Sequence, residues 1–306
     1  MRFWQRVFGA DLPFVFTCPA LLWQTIFLFV PVIILIFHSV CDYLPDAQTY
    51  TLTLLYYRQI FDSLYIQVIV HSFFLAIITA AICLLIAYPV AFYLAVKVPQ
   101  RFKTFLLFSL ILPSWTSLIV QIYAWFFLLA KNGLVSCVLQ SLSLMPRNFH
   151  LLNNYFAIIV GMVSCYLPFM ILPLYAVLEK MDKRYFEASA DLGADRLETF
   201  KRVVFPLSLP GVYAGFMLVF IPAFGEFAIP LLLGGAKHIF WGNIIVDKFL
   251  RSRDWRSGAA LTLVGIMLPL ILIVITYAVS RVAKRSWERK YGSSGPTSGS
   301  SKELWA

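Results

Sequence analysis

Apolar residues along the chain gather into six long runs separated by short polar segments. The runs at about 17–40, 65–96, 104–130, 155–178, 207–233 and 258–280 are each long enough to cross the bilayer. A helix needs ~20 residues to span ~30 Å of hydrocarbon. The pattern predicts six transmembrane helices in an all-α membrane protein. The second run has length to spare for a tilt or a kink, and Pro89 near its end is the candidate kink site. The first run follows Arg2 and Arg6, is too long for a signal-peptide core and lacks a small-residue cleavage site. It is therefore expected to remain as a span.

The polar segment 181–206, MDKRYFEASADLGADRLETFKRVVFP, has start and stop signals of its own. Asp182 is placed to cap a first short helix, with Met181 and Phe186 as a hydrophobic staple across the cap. Gly193 suits a left-handed helix end. Asp195 with Glu198 three residues on forms the pattern of a capping box, and Pro206 is expected to stop the second helix. Two helices of about ten residues fall below the ~12–15 that are marginal alone in water, so each needs something to pack against.

Composition agrees with a membrane protein: of 306 residues, 60% are hydrophobic and 13% charged, with a mean hydropathy of +0.80. Soluble domains run at about 45–50% apolar and ~25% charged. The formal charge of +10 raises the question of nucleic acid, but its distribution answers it. With the N-terminus inside, seventeen Lys and Arg fall on inner segments and eight on outer ones. The excess is topological, both termini are expected in the cytoplasm, and no nucleic-acid partner is implied. The outer segment from Lys237 to Arg256 is unusually basic for its side.

The five cysteines (Cys18, Cys41, Cys83, Cys137 and Cys165) and the four histidines are dispersed, with no zinc spacing, no nucleophile–base pattern and no phosphate-cradling glycine loop. No catalytic residue, cofactor site or metal site is expected in this chain. Residues 292–302, GSSGPTSGSSK, read as a disordered tail, native or appended. The expected organisation is an N-terminal segment with the first span and an outer loop (1–64), a core of five spans (65–281) and a Gly/Ser-rich tail (282–306).

Within the polar segment, Glu187-Ala188-Ser189, then Gly193, then Val203, Phe205 and Pro206 resemble the EAA loop of ATP-binding-cassette importer permeases. That family's pattern is Glu-Ala-Ala, three residues, Gly, nine residues, Ile, one residue, Leu-Pro; the spacing here matches throughout. Ser189, Val203 and Phe205 are conservative departures. The resemblance implies the type I importer permease fold, in which such a loop forms a coupling helix seated in a cleft of a separate ATPase. It assigns ATPase coupling to Glu187, Ala188, Ser189, Asp191, Gly193 and Pro206. It also implies a second similar permease, two cytoplasmic ATPase subunits that bind ATP and magnesium, and a periplasmic or extracellular solute-binding protein. Independently of the resemblance, the small residues 188–190 permit close approach to a groove. Glu187 and Asp191, four apart, share a helix face that suits basic groups.

Further stretches are similar to the polyamine (spermidine/putrescine) permeases, the first of the two permease subunits. These are Leu112-Pro113-Ser114-Trp115-Thr116-Ser117 with Tyr123-Ala124-Trp125; Asn132-Gly133; Phe220 to Phe227 continuing to Ile229-Pro230 and Leu233-Gly234-Gly235; and Arg253-Asp254-Trp255. Gln121 departs from the arginine that family members often carry. Iron(III), phosphate or sulfate are the alternative cargoes, and a secondary transporter or a membrane scaffold the alternative classes.

Glu226 stands out as an acidic residue within an apolar run, where a charge costs about 2.5–3.5 kcal/mol on insertion scales. Two roles are open to it. It lines a route for a cationic solute, together with Trp115, Tyr123, Trp125, Asp254 and Trp255, through carboxylate pairing and cation–π contact. Alternatively, it anchors the backbone freed by Pro222 and Gly225. Prolines 89, 113, 168, 173, 210, 222 and 230 sit in or beside the spans, as pivots or as static kinks.

Overall fold

The computed structural model describes residues 12–44, 49–142, 150–182, 184–235 and 237–291. The expected tail at 292–302 lies outside them. Helix α1 (Leu12–Val40) leads into a two-stranded antiparallel hairpin, β1 (Cys41–Leu44) and β2 (Thr49–Leu52), with Cys41 opposite Leu52. After the short α2 (Leu55–Gln59) come α3 (Ser63–Val96), α4 (Gln100–Ile111), a 3-10 turn (Leu112–Trp115), α5 (Leu118–Leu129) and α6 (Leu134–Ser141). Helix α7 (Tyr155–Glu179) precedes α8 (Arg184–Asp191) and α9 (Arg196–Thr199). A π-helical turn (Phe200–Val204) joins α9 to α10 (Phe205–Gly225), followed by α11 (Ala228–Leu233) and α12 (Trp241–Val246). A second π-turn (Asp247–Arg251) precedes α13 (Trp255–Tyr291). Six candidate membrane spans are present among the described residues.

Helices α3, α7 and α10 pack on one another and hold the core. The chain permits this close packing through its small residues. On α3, Ala76, Ala80, Cys83, Ala87 and Ala91 recur at helical spacing and are all fully buried. On α10, Gly211 and Gly215 lie four apart and face α7. A Cβ on Gly215 would stand 2.8 Å from Met170 Sδ and 3.1 Å from the Met170 carbonyl. Lipid tails are as apolar as leucine, so dispersion contacts at short range, which small residues permit, hold such helices together. By contrast, α1 exposes Trp23, Phe27 and Ile33. From Val264 onward, α13 belongs to a second unit, helical to Tyr291.

Two expected spans are interrupted. The third, read as one run over 104–130, breaks at residues 112–117, and the candidate span here is Leu118–Ser141. Pro113 supplies no N–H, and Thr116 and Ser117 are extended. The break is satisfied locally. Ser114 Oγ donates to the Ile111 carbonyl (2.7 Å), Thr116 Oγ1 donates to the Pro113 carbonyl (2.7 Å), and Gln121 Nε2 donates to the Pro113 carbonyl and to Thr116 Oγ1. The fifth span, read over 207–233, breaks at Glu226–Phe227.

Candidate functional site

The polar connector folds largely on its local signals. Asp182 Oδ1 accepts from the Arg184 N–H at 3.0 Å and opens α8. Gly193 closes it at φ +77°, with the Ala194 N–H returning to the Ser189 carbonyl at 3.1 Å. That left-handed conformation spares glycine a Cβ clash. Asp195 caps α9 by accepting from the Glu198 N–H at 2.6 Å. The reciprocal half of the expected box is replaced: the Glu198 carboxylate pairs with Arg202 at 2.9 Å. Ser189 is buried, and its hydroxyl meets the Thr199 hydroxyl at 2.8 Å, pinning the two short helices together. Glu187, Ala188 and Asp191 are exposed, as is Leu192 at 88%.

Pro206 does not stop the second helix. The candidate span runs unbroken from Arg196 to Gly225. The π-turn accounts for this, because the Phe205 N–H donates to the Phe200 carbonyl, five residues back. The chain widens by one residue immediately before the proline, which itself needs no acceptor. Phe200 anchors the widened turn against α3, with its ring 5.5 Å from Tyr88 and 6.4 Å from Phe92. One turn further, Ser208 Oγ donates to the Phe205 carbonyl (2.9 Å), which leaves Tyr88 as the donor in the 2.8 Å contact between the two hydroxyls.

Glu226 sits in the break between α10 and α11 and is 8% exposed. One carboxylate oxygen accepts from the N–H groups of Phe227 (3.1 Å), Ala228 (2.9 Å) and Ile229 (3.4 Å). The other accepts from the Tyr166 hydroxyl of α7 at 2.6 Å. The carboxylate thus replaces the backbone acceptors missing at the start of α11, and among the described residues none of the expected aromatics hydrogen-bonds to it. Asn243 completes the junction: its Nδ2 donates to the Phe227 carbonyl (3.0 Å), while its Oδ1 accepts from the Phe240 N–H (3.2 Å). The Trp241 N–H donates to Ser72 Oγ of α3 at 2.8 Å. Tyr166, Asn243 and Ser72 were not singled out in the sequence; their only sequence signal is a polar group within or beside an apolar run.

The remaining candidates are scattered over the surface. Trp115 is 72% exposed and meets Phe108 edge-on at 5.7 Å. Tyr123 is exposed beside Phe126 and Phe127, and Trp125 is half-buried. Trp255 is exposed and edge-on to Phe249 at 5.8 Å. Asp254 caps α13 through the Ser257 N–H (3.2 Å) and pairs with Lys248 at 3.5 Å. Burial pushes its pKa up, but the Ser257 hydrogen bonds and the Lys248 charge outweigh that and leave it below the usual value. Arg251 pairs with Asp247 at 3.6 Å, so two of the five cations between Lys237 and Arg256 have a carboxylate partner there.

Residues 87–288, which carry the connector, the Glu226 junction and both π-turns, match the family described as "Binding-protein-dependent transport system inner membrane component". The chain belongs to that family. This permease is 39% identical over 239 residues to a spermidine/putrescine transport system permease protein of Haemophilus influenzae, covering 78% of this chain and 83% of the relative. It is 37% identical over 268 residues to the protein of the same description from Escherichia coli K12, covering 87% and 97%. Its fold matches a bacterial alginate ABC transporter solved in complex with an alginate pentasaccharide-bound periplasmic protein. That match has a TM-score of 0.70 at 16% identity and covers 92% of this chain and 98% of the other. The six apolar helices and the family together make the chain a multi-pass inner-membrane permease subunit of an ABC importer.

Proposed function

We propose that this permease carries spermidine or putrescine inward, driven by ATP hydrolysis on partner subunits. The observation that carries the solute class is the identity of 37–39% with permeases named for those polyamines, extending over 78–87% of the chain. The permease works with a second permease, two ATPase subunits and a solute-binding protein, and both termini face the cytoplasm. Coupling to the ATPases runs through 181–206. What supports that role is a connector whose two short helices are pinned to each other at Ser189–Thr199 while Glu187, Asp191 and Leu192 stand exposed. An exposed leucine beside two carboxylates suits a protein cleft with an apolar floor and a basic rim. The substrate path runs past the exposed Trp115 and Tyr123, with Trp125, Asp254 and Trp255 on the same proposed route. Glu226 shapes that path by holding the span break.

The test is uptake of radiolabelled spermidine and putrescine by cells carrying the whole system, with affinity capture of this chain in mild detergent. The expected result is saturable polyamine uptake, a co-purifying ATPase, and loss of both in Glu187→Lys. Uptake of an anion such as sulfate with no polyamine uptake overturns the solute assignment. A Glu187→Lys variant that keeps both its ATPase and its uptake overturns the coupling assignment.

A further inference from the structure

A groove of about 500 Å³ opens where α3 ends and α9 begins, which is the same end of the bundle. Its volume falls within the range of about 300–1,000 Å³ common to small-molecule pockets. On the connector side it is lined by Phe186, Ala190, Ala194 and Thr199, and along the spans by cations followed by apolar side chains. Lys97, the residue that ends α3, and Arg196, which begins α9, stand at the rim and are exposed. Phe92 and Val96 on α3, with Phe200 and Val204 on the π-turn, form the walls. Helical rise of about 1.5 Å per residue puts Phe92 about 7 Å further into the bundle than Lys97, and Val204 about 12 Å further in than Arg196. Charge therefore sits at the end of the groove and the apolar walls lie deeper along the helices, the order in which a lipid headgroup and its acyl chain follow one another.

Two cations near the groove already have partners. Lys103 is held by Glu179 (3.5 Å) and the Ala95 carbonyl (3.0 Å), and Arg202 by Glu198 (2.9 Å). Neither Lys97 nor Arg196 has an acidic partner within 4.0 Å among the described residues. We propose that this groove binds one acidic phospholipid, its phosphate between Lys97 and Arg196 and an acyl chain along Phe92, Val96, Phe200 and Val204. A phosphate gathers two cations through charge-assisted hydrogen bonds, and the apolar walls take the chain a soluble anion lacks. Because Phe200 and Val204 belong to the π-turn, the lipid rests on the hinge between the connector and α10.

The test is lipid binding to the purified, delipidated full chain in detergent, read by native mass spectrometry. Phosphatidylglycerol and phosphatidylcholine of matched acyl chains are the probes. Phosphatidylglycerol is expected to bind as one tight copy and phosphatidylcholine only weakly. Near an anionic lipid each cation contributes about a fivefold factor, so Lys97→Gln/Arg196→Gln is expected to weaken phosphatidylglycerol by roughly 10–30-fold. Lys201→Gln/Arg202→Gln removes the same charge at the same end, outside the groove, and is expected to leave binding intact. Ala190→Phe, which fills the groove while keeping both cations, is expected to displace the lipid. Equal loss in the two double variants, equal binding of the two lipids, or full competition by millimolar inorganic phosphate would each overturn the proposal. The readout requires neither an ATPase nor a particular cargo, so its failure is separable from failure of the transport reading.

Discussion

Glu226 offers the sharpest test, because its two possible roles predict opposite results for two substitutions. Glu226→Ala removes the acceptor for the Tyr166 hydroxyl at 2.6 Å and for the Ala228 N–H at 2.9 Å, with weaker contributions from Phe227 and Ile229. Each buried donor stranded in this way costs about 1–3 kcal/mol, so two good ones give roughly 2–6 kcal/mol. Measured side-chain pairs between membrane helices average only about 0.6 kcal/mol, with a maximum near 1.7, because the unfolded chain in lipid also finds partners. That moderates the expectation to about 2–4 kcal/mol for Glu226→Ala and about 1–1.5 kcal/mol for Tyr166→Phe. Glu226→Gln keeps an oxygen for the backbone donors and loses mainly the tyrosine bond, about 1 kcal/mol. At about 2–4 °C per kcal/mol for chains of this size, Glu226→Ala melts roughly 5–15 °C early and Glu226→Gln within about 4 °C of wild type. The assay is thermal unfolding in detergent, followed by the size-exclusion peak of the remaining monodisperse protein, alongside uptake in cells. Should Glu226→Ala melt with wild type while Glu226→Gln abolishes uptake, the carboxylate acts on the solute and the anchoring account is wrong.

Three further outcomes are expected. Gly215→Leu should prevent α10 from seating on α7, because even a Cβ would stand 2.8 Å from Met170 Sδ. Gly215→Ala should cost about 1–3 kcal/mol, as other overpacked cores do, and expression with thermal unfolding reads both. Tyr88→Phe and Ser208→Ala each remove the 2.8 Å hydroxyl contact and should each cost about 1 kcal/mol. Their combination should add nothing beyond either alone, which a double-mutant cycle on melting temperature checks. Asp254 has a folded-state pKa below the ordinary carboxylate value, so its contribution to stability is fully present above that ordinary value. It is lost only as pH falls through the lower folded value. Asp254→Asn should therefore flatten the acid limb of the stability profile and leave the protein's pH response between 6 and 8 unchanged.

Features set by a few neighbouring residues were legible in the sequence, and features set by tertiary partners were not. Asp182, Gly193 and Asp195 announce their caps and turn because the acceptor or the missing Cβ lies within three residues of the group it serves. The same reasoning misplaced Pro206. It assumes α-helical bonding, whereas the π-turn at Phe200–Val204 moves the preceding donor to a carbonyl five residues back, held open by Tyr88 and Phe92 from another helix. The breaks at 112–117 and at Glu226 also escaped, since hydropathy runs on through both. Gln121 was noticed only as a departure from a family pattern, yet it ties the first break together. Glu226 was singled out by the cost of a charge in lipid, a signal that cannot separate a solute contact from a backbone cap. Its partner Tyr166, sixty residues distant, makes that distinction.

The placement of polar bonds and small residues has a mechanical consequence. Helices α3, α7 and α10 meet through alanine stripes and glycines, so their surfaces have little side-chain slack to absorb a displacement. The connector, in contrast, is fixed internally by Ser189–Thr199 and by its caps; it leaves α7 through residues 180–183 and enters α10 through one π-turn. A push on α8 is therefore carried as a unit to Phe200, and from there it has two outlets. Along the chain, it turns α10 about the widened segment before Pro206. Across the chain, it loads the rings of Tyr88 and Phe92 and the Tyr88–Ser208 bond, which resist that turn. Loosening the lateral outlet with Tyr88→Phe leaves α10 freer to rotate than α3. Once assembled with its ATPase, that variant should then hydrolyse more ATP for each solute moved, while its melting temperature falls only by the few degrees that a loss of about 1 kcal/mol implies. An unchanged ratio would mean that α3 and α10 move as one block and that the π-turn contributes only shape.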